Sequence, residues 1–248
     1  MRSPWTPGPQ AAPDAAFRLF CFAHAGGGSS AFREWRGAFG TGVDVRPVLL
    51  PGREARLREP PVRRMDELLG PLCAGLLPLL DRPFAFFGHS LGAVVAYETA
   101  RELALCGGPR PEHLLVSARR APHLPSRQAP VHRLAEGEFL RVVAEMGGTP
   151  ADVIAQPGLL RAFLPGLRAD FELNETYVPR ARGVLDCPVS AFAGDRDPQV
   201  APDEMAAWRD TTRGSFRLRV LPGGHFYLRE DPAALTALIR PVLTAARP

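Results

Sequence analysis

The sequence predicts an α/β protein: a mostly parallel central sheet flanked by helices, with a helical lid subdomain inserted between two of its strands. Three observations carry that expectation. Short apolar runs alternate with segments of helical period along most of the length. The run Phe84–Phe87 is apolar throughout, as a strand buried on both faces requires. Between Pro122 and Pro179 the alternation stops, and two amphipathic helical stripes appear with no strand signal between them. The chain has 248 residues, 46% hydrophobic and 23% charged, which suits one globular domain. A body of that size buries roughly 70–75% of its unfolded surface and needs neither metal nor disulfide to stand. Residues 1–16, rich in Pro and Ala, read as a disordered tail, and residues 17–248 as a single domain with the insertion at about 122–179.

Taken in order, Phe17–Ala23 reads as the first strand, His24–Ser30 as a Gly-rich turn and the stretch near Phe32–Phe39 as a short helix. Val43–Leu50 is a second strand. Leu68, Leu69, Leu72, Leu76 and Leu79/Leu80 have helix spacing, with Pro71 expected to kink or restart the element. Phe84–Phe87 follows as a strand, Leu91–Leu105 as a helix and Leu114–Ser117 as a strand. The insertion carries the stripes Phe139/Val142/Val143/Met146 and Leu160/Phe163/Leu164/Leu167. It is placed above the carboxyl ends of the strands, where α/β folds build their sites, although the stripes alone fit a plain extension of the core equally well. Val189–Ala193 and Phe216–Leu221 supply two more strands, and Leu235, Leu238, Ile239, Val242 and Leu243 mark one face of the closing helix.

Composition excludes several classes. All 30 basic residues are Arg, with two Ile and one Asn in the whole chain, a bias that reads as codon pressure from a GC-rich genome. The net charge of +4 selects no partner by itself. Nucleic-acid binding is not expected, because the arginines are spread along the chain and not clustered with aromatics. The densest group, Arg53, Arg56, Arg58, Arg63 and Arg64, reads either as a solvated loop or as a docking surface for an acidic partner. No apolar run reaches the ~18 residues of a membrane span. Cys21, Cys73, Cys106 and Cys187 lack zinc-site spacing, and no signal peptide precedes them, so they read as reduced thiols of a cytoplasmic protein.

The strongest chemical signal is Phe84-Ala-Phe-Phe-Gly-His-Ser-Leu-Gly92. A bare G-x-S-x-G is weak, but here an apolar strand precedes it and a helix follows. That context builds a sharp turn presenting Ser90 Oγ above the sheet. The helix N-terminus behind Ser90 favours developing negative charge. A serine nucleophile needs a base and the base an orienting acid, in the chain order Ser, acid, His for this arrangement. His225, in Leu221-Pro-Gly-Gly-His-Phe226 after a late strand, is the histidine suitably placed. Ala193-Gly-Asp-Arg-Asp-Pro198 offers Asp197 or Asp195 as the acid; Asp197 is preferred, with Asp195 stabilising the turn. The turn His24-Ala-Gly-Gly-Gly-Ser-Ser30 supplies one oxyanion donor, assigned to the Ala25 N–H, and the Leu91 N–H supplies the other. A phosphate-cradling reading of that loop fails for want of the GK[ST] ending.

These segments together resemble the type II thioesterases that accompany polyketide and nonribosomal peptide synthases, members of the α/β-hydrolase superfamily. The resemblance runs from about Phe17 to Leu243 and rests on Phe22-Ala-His-Ala-Gly-Gly-Gly28 with Trp35, Leu50-Pro-Gly-Arg-Glu54 and Gly88-His-Ser-Leu-Gly92. It continues in Leu167-Arg-Ala-Asp-Phe171, Glu175-Thr-Tyr177, Gly194-Asp-Arg-Asp-Pro198 and Gly223-Gly-His-Phe-Tyr227. Ala23 departs from the usual Pro before the His, without chemical consequence. The resemblance implies a Ser90–His225–Asp197 triad, an Ala25/Leu91 oxyanion hole, a lid, and no metal or organic cofactor. It also implies the substrate, an acyl thioester on the phosphopantetheine arm of an acyl- or peptidyl-carrier protein; a monomer is expected, though no residue pattern fixes the oligomeric state. Residue patterns alone reach a serine acyl hydrolase with a lid. They leave open a general carboxylesterase, a peptidase, an acyl-CoA thioesterase and a chain-releasing or cyclising thioesterase. Against the last stand the Met1 start and the lack of an Asp-Ser-Leu attachment motif. The complete set of catalytic residue types speaks against a non-catalytic binding module.

Overall fold

The computed structural model describes residues 3–8, 12, 14–148, 156–179 and 184–245. Six strands form one sheet: β1 (Phe17–Phe22), β2 (Val43–Val48), β3 (Phe84–His89), β4 (His113–Ser117), β5 (Val189–Gly194) and β6 (Phe216–Leu221). Their spatial order is β2-β1-β3-β4-β5-β6, and every neighbouring pair is parallel. The helices are α1 (Met65–Leu76), α2 (Leu91–Leu105), α3 (Glu136–Glu145), α4 (Pro157–Glu175), α5 (Pro202–Ala206), α6 (Tyr227–Glu230) and α7 (Pro232–Ala245).

Side chains of a strand alternate between faces, so β3 feeds two cores at once. Phe86 joins Phe20, Phe22, Leu72 and Val94 under α1 and α2. Phe87 joins Phe17, Trp35, Leu235 and Ile239 on the face that α7 covers. From β1 the chain moves outward to β2, then returns to β3 on the other side of β1. The carboxyl ends of β1 and β3 therefore flank the point where strand order reverses, the place such sheets form a crevice.

Three expectations are corrected. The stretch near Phe32–Phe39 is not one helix but two 3₁₀ turns, Ser29–Phe32 and Glu34–Gly37. Pro71 does not restart α1, which runs unbroken from Met65 to Leu76 with Pro71 on its exposed side. The tail expectation fails for residues 3–8. Trp5 is 7% exposed, its carbonyl accepts the Leu49 N–H at 2.8 Å, and Arg56 stacks over its ring at 4.2 Å. The cause is one large apolar ring that composition averages away. Gly75 leaves it room, since a Cβ there would fall 2.0 Å from the indole.

Between β4 and β5 the described residues form no strand, and α3 and α4 build a small core of their own around Phe139, Val143 and Leu167. Arg168 lies over the Phe139 ring at 4.3 Å and donates to the His132 and Leu134 carbonyls at 2.6 and 2.8 Å. Glu175 accepts the Val131 and His132 amides at 2.9 and 3.0 Å. The four cysteines are free thiols.

Candidate active site

Ser90 sits between β3 and α2 with φ 55° and ψ −119°, a left-handed conformation rare for a residue with a Cβ. The turn is tight enough that a Cβ on Gly88 would lie 2.1 Å from the Gly92 carbonyl oxygen, and one on Gly92 2.1 Å from that of Phe22. The Ser90 amide donates to the Ser117 carbonyl at 2.8 Å, which ties the strained residue to the end of β4.

The loops after β5 and β6 bring two more side chains to Ser90. His225 Nε2 is 3.0 Å from Ser90 Oγ, and His225 Nδ1 is 2.8 Å from Asp197 Oδ2. A carboxylate at Nδ1 holds the proton there, so Nε2 is left to accept from the serine hydroxyl. The Asp197 and His225 side chains are 1% and 6% exposed. Asp197 Oδ1 is engaged separately by the Gln199 and Val200 amides at 2.8 and 3.3 Å. Asp195 points elsewhere: its side chain is 45% exposed and accepts the Gly223 N–H at 2.8 Å, pinning the turn that precedes His225.

The loop after β1 faces this group. His24 to Gly27 form a turn closed by Gly27 N–H to the His24 carbonyl at 2.9 Å, with Gly26 at φ +76°. Three side chains grip the loop. Asp170 Oδ2 accepts the Gly26 N–H at 2.7 Å. Arg53 donates to the Gly27 carbonyl at 3.0 Å and to both Asp170 oxygens at 2.6 Å. Glu54 accepts the Ser29 and Ser30 amides at 3.1 and 3.0 Å and both hydroxyls as well. Burial works against the Arg53 charge, but Asp170 outweighs it and raises the guanidinium pKa. Partial burial would raise the Glu54 carboxyl, yet the serine bonds outweigh it and hold it below its ordinary value. Ala25 and Leu91 both line the chamber at Ser90, and among the described residues neither amide N–H has a protein acceptor.

Two further histidines surround the centre in neutral form. Burial, helped by the charges of Arg229 and His225, lowers His24 to about 3, and its Nε2 accepts from Arg229 at 2.7 Å. Burial pushes His89 well below its ordinary value, and its Nδ1 meets Ser117 Oγ at 2.8 Å, which also bonds the Tyr227 hydroxyl. The chamber above Ser90 measures about 80 Å³ and is bounded by Ala118, Arg119, Val143, Met146, Leu167 and Phe171. Arg119 donates to Asn174 Oδ1 at 2.5 Å, and burial pulls its pKa down to about 9.

Of the five sequence-predicted site residues, Ser90, His225, Ala25 and Leu91 therefore line one chamber, and Asp197 is buried behind it against His225 Nδ1. Sequence reasoning missed the parts played by Arg53, Glu54 and Asp170. Only the motifs Leu50-Pro-Gly-Arg-Glu54 and Leu167-Arg-Ala-Asp-Phe171 marked them, and no spacing rule connects segments so distant. Of the five arginines between Arg53 and Arg64, Arg53 and Arg56 are buried and serve loops within the fold, the second bonded to Glu59 at 2.6 Å, so only Arg58, Arg63 and Arg64 are exposed. Among the described residues, no group of three or more His, Cys, Asp or Glu is placed to hold a metal ion. No helix there is long and apolar enough to cross a membrane.

Comparison with known proteins places this geometry among relatives. The thioesterase domain family matches residues 17–245. Thioesterase PikA5 of Streptomyces venezuelae is 45% identical over 89% of this chain and 78% of its own. A protein of Brevibacillus parabrevis named linear gramicidin dehydrogenase LgrE is 38% identical over 97% and 93%. The solved structure of the type II thioesterase BorB, from the borrelidin biosynthetic cluster, superposes with a TM-score of 0.86 at 36% identity. That match covers 97% of this chain and 96% of BorB.

Proposed function

The chain belongs to the thioesterase domain family, and from that premise we propose that it hydrolyses acyl groups, mis-primed or stalled, from the phosphopantetheine arm of acyl- or peptidyl-carrier proteins. Ser90, His225 and Asp197 are the catalytic triad of this reading. The observation that carries it is the continuous relay from Asp197 Oδ2 through both ring nitrogens of His225 to Ser90 Oγ, at 2.8 and 3.0 Å. Ser90 Oγ attacks the thioester carbonyl while its proton passes to His225 Nε2. The negative oxygen that forms is met by the Ala25 and Leu91 N–H groups, where each lost donor costs about 3–4 kcal/mol. The C–S bond breaks, and the pantetheine sulfur leaves with the proton from His225. A thiol of pKa about 8.5 departs more readily than an alkoxide or an amine. Water, deprotonated by His225, then attacks the acyl-Ser90 ester, and Ser90 recovers its proton as the acid is released. Asp197 holds the imidazole tautomer and its transient charge without taking the proton.

The carrier protein is the macromolecular partner in this reading, and the enzyme works as a monomer in the cytoplasm. The helical insertion over the chamber acts as a lid, bringing its small apolar core against the acyl group. The test is mass spectrometry of acyl-carrier thioesters incubated with the enzyme and with Ser90→Ala. Release of free carrier by the wild type only, with acyl-Ser90 trapped at early times, is the expected result. Continued hydrolysis by Ser90→Ala would overturn the mechanism, and turnover of simple oxygen esters far above carrier thioesters would overturn the substrate.

A further inference from the structure

Asp170 stands apart from the reacting atoms, yet its carboxylate is 1% exposed and committed to the Gly26 N–H of the loop after β1 and to Arg53 of the loop after β2. It belongs to α4, the long helix of the insertion. We propose that Asp170 and Arg53 are a positioning pair that aims the Ala25 N–H at the oxyanion, so that the oxyanion hole is complete only while α4 is seated.

In a trans peptide the C=O and N–H point in opposite directions. The His24 carbonyl is turned inward to the Gly27 N–H, so the Ala25 N–H of the same peptide faces the other way. That aim lasts as long as the turn does, and a turn held by one backbone bond is weakly fixed. Asp170 adds a bond at the Gly26 N–H, and Arg53 adds one at the Gly27 carbonyl. Because Arg53 also spans both Asp170 oxygens, neither side chain can move without the other. The helix presses on the turn as well. A Cβ at Gly26 would lie 2.7 Å from Leu167 Cδ1 and 2.9 Å from Phe163 Cζ. Lifting α4 would therefore withdraw the carboxylate and the apolar contact together and release the turn. The consequence is a gate on chemistry: acyl groups enter with α4 displaced, and the tetrahedral intermediate is stabilised after it returns.

This inference rests on the Ser90 mechanism and on Ala25 as a donor, and the experiment separates their fates. The readouts are kcat and KM for propionyl-pantetheine and the Ki of an alkylthio-trifluoromethyl ketone, which forms a hemiketal oxyanion with a catalytic serine. Asp170→Ala should lower kcat about 100-fold, with KM within about threefold, as for a lost oxyanion donor. The ketone Ki should rise by the same factor. Arg53→Lys, which keeps the charge but cannot span both oxygens and the Gly27 carbonyl, should lose about tenfold in both readouts. It serves alone if Asp170→Ala does not fold. A normal kcat, or a kcat loss without a matching rise in Ki, would overturn the positioning role. A wild type that the ketone does not inhibit would overturn the underlying mechanism, and the positioning role with it.

Discussion

Replacing Asp197 by Asn tests the relay with almost no change of shape. Asp197 Oδ1 accepts the Gln199 and Val200 amides, so in the variant the carbonyl oxygen must occupy that position, since an NH₂ there would face two donors. The NH₂ then takes the place of Oδ2, 2.8 Å from His225 Nδ1, and obliges that nitrogen to accept. The proton moves to Nε2, which lies 3.0 Å from Ser90 Oγ and can no longer take the serine proton. A wrong tautomer of this kind lowers kcat about 10⁴-fold. At about 1.36 kcal/mol per decade this corresponds to about 5.4 kcal/mol of transition-state stabilisation. Both backbone bonds and the side-chain volume are kept, so Tm should stay within about 4 °C. The assay is the initial rate of propionyl-pantetheine hydrolysis, read as free thiol, with circular dichroism to confirm the fold. Asp195→Asn, on a half-exposed turn carboxylate, should cost less than about tenfold. Retention by Asp197→Asn of more than a tenth of wild-type kcat, or greater damage from Asp195→Asn, would refute the reasoning.

Three further outcomes concern stability. Burial holds His24 at about 3 and His113 at about 4, both below the unfolded value, so the stability they contribute is full above about pH 6.5 and drains as pH falls toward those values. Each contributes a slope of at most about 1.4 kcal/mol per pH unit, and His113→Gln should flatten the fall in urea midpoint between pH 6.5 and 4.5; an unchanged fall would count against this. Trp5→Ala should cost about 3 kcal/mol in urea titration, and a loss below about 1 kcal/mol would mean that residues 3–8 are not docked in solution. Asp44→Asn strips the fully buried carboxylate from between Arg18 and Arg46 and should cost about 3–5 kcal/mol, against less than about 0.5 kcal/mol for Glu145→Ala at the exposed Arg141 pair. Equal costs would refute the burial argument.

The legible parts of this protein are those whose cause is local. The helix Leu91–Leu105 and the strand Phe216–Leu221 stand where period and composition put them. Ser90 and His225 were readable because a strand end followed by glycines is itself a local signature. Trp5 was not, since one aromatic ring in a Pro/Ala-rich stretch has no period, and its binding place is made by Gly75 and Arg56. Asp197 is preferred over Asp195 in the sequence without being fixed by it, for a related reason. Two carboxylates two residues apart on a turn differ only in which one meets a ring from another strand. Asp170 was the least legible, because its meaning lies in atoms of the first βα loop and of Arg53, supplied by separate segments of the chain.

The same distinction changes what the arginine-only composition means. Counted in the sequence, Arg53, Arg56, Arg18 and Arg46 belong to a positive charge open to a partner; in the fold all four are buried and spoken for. A guanidinium is a rigid planar fork of five donors, whereas an ammonium is a compact point charge. Arg53 uses that fork to hold two carboxylate oxygens and a backbone carbonyl at once. At the loop beside Ser90 the guanidinium fork is thus used for its geometry and not only for its charge. The residues a carrier protein can meet in that segment reduce to Arg58, Arg63 and Arg64. Of these, Arg63 is engaged with Glu172 at 2.6 Å and Arg64 with Asp66 at 3.2 Å. The Glu172 contact lies on α4, two residues from Asp170 on the same helix. A negatively charged partner competing for Arg63 would therefore act on the helix that carries Asp170, and on the proposed positioning of the Ala25 N–H through it.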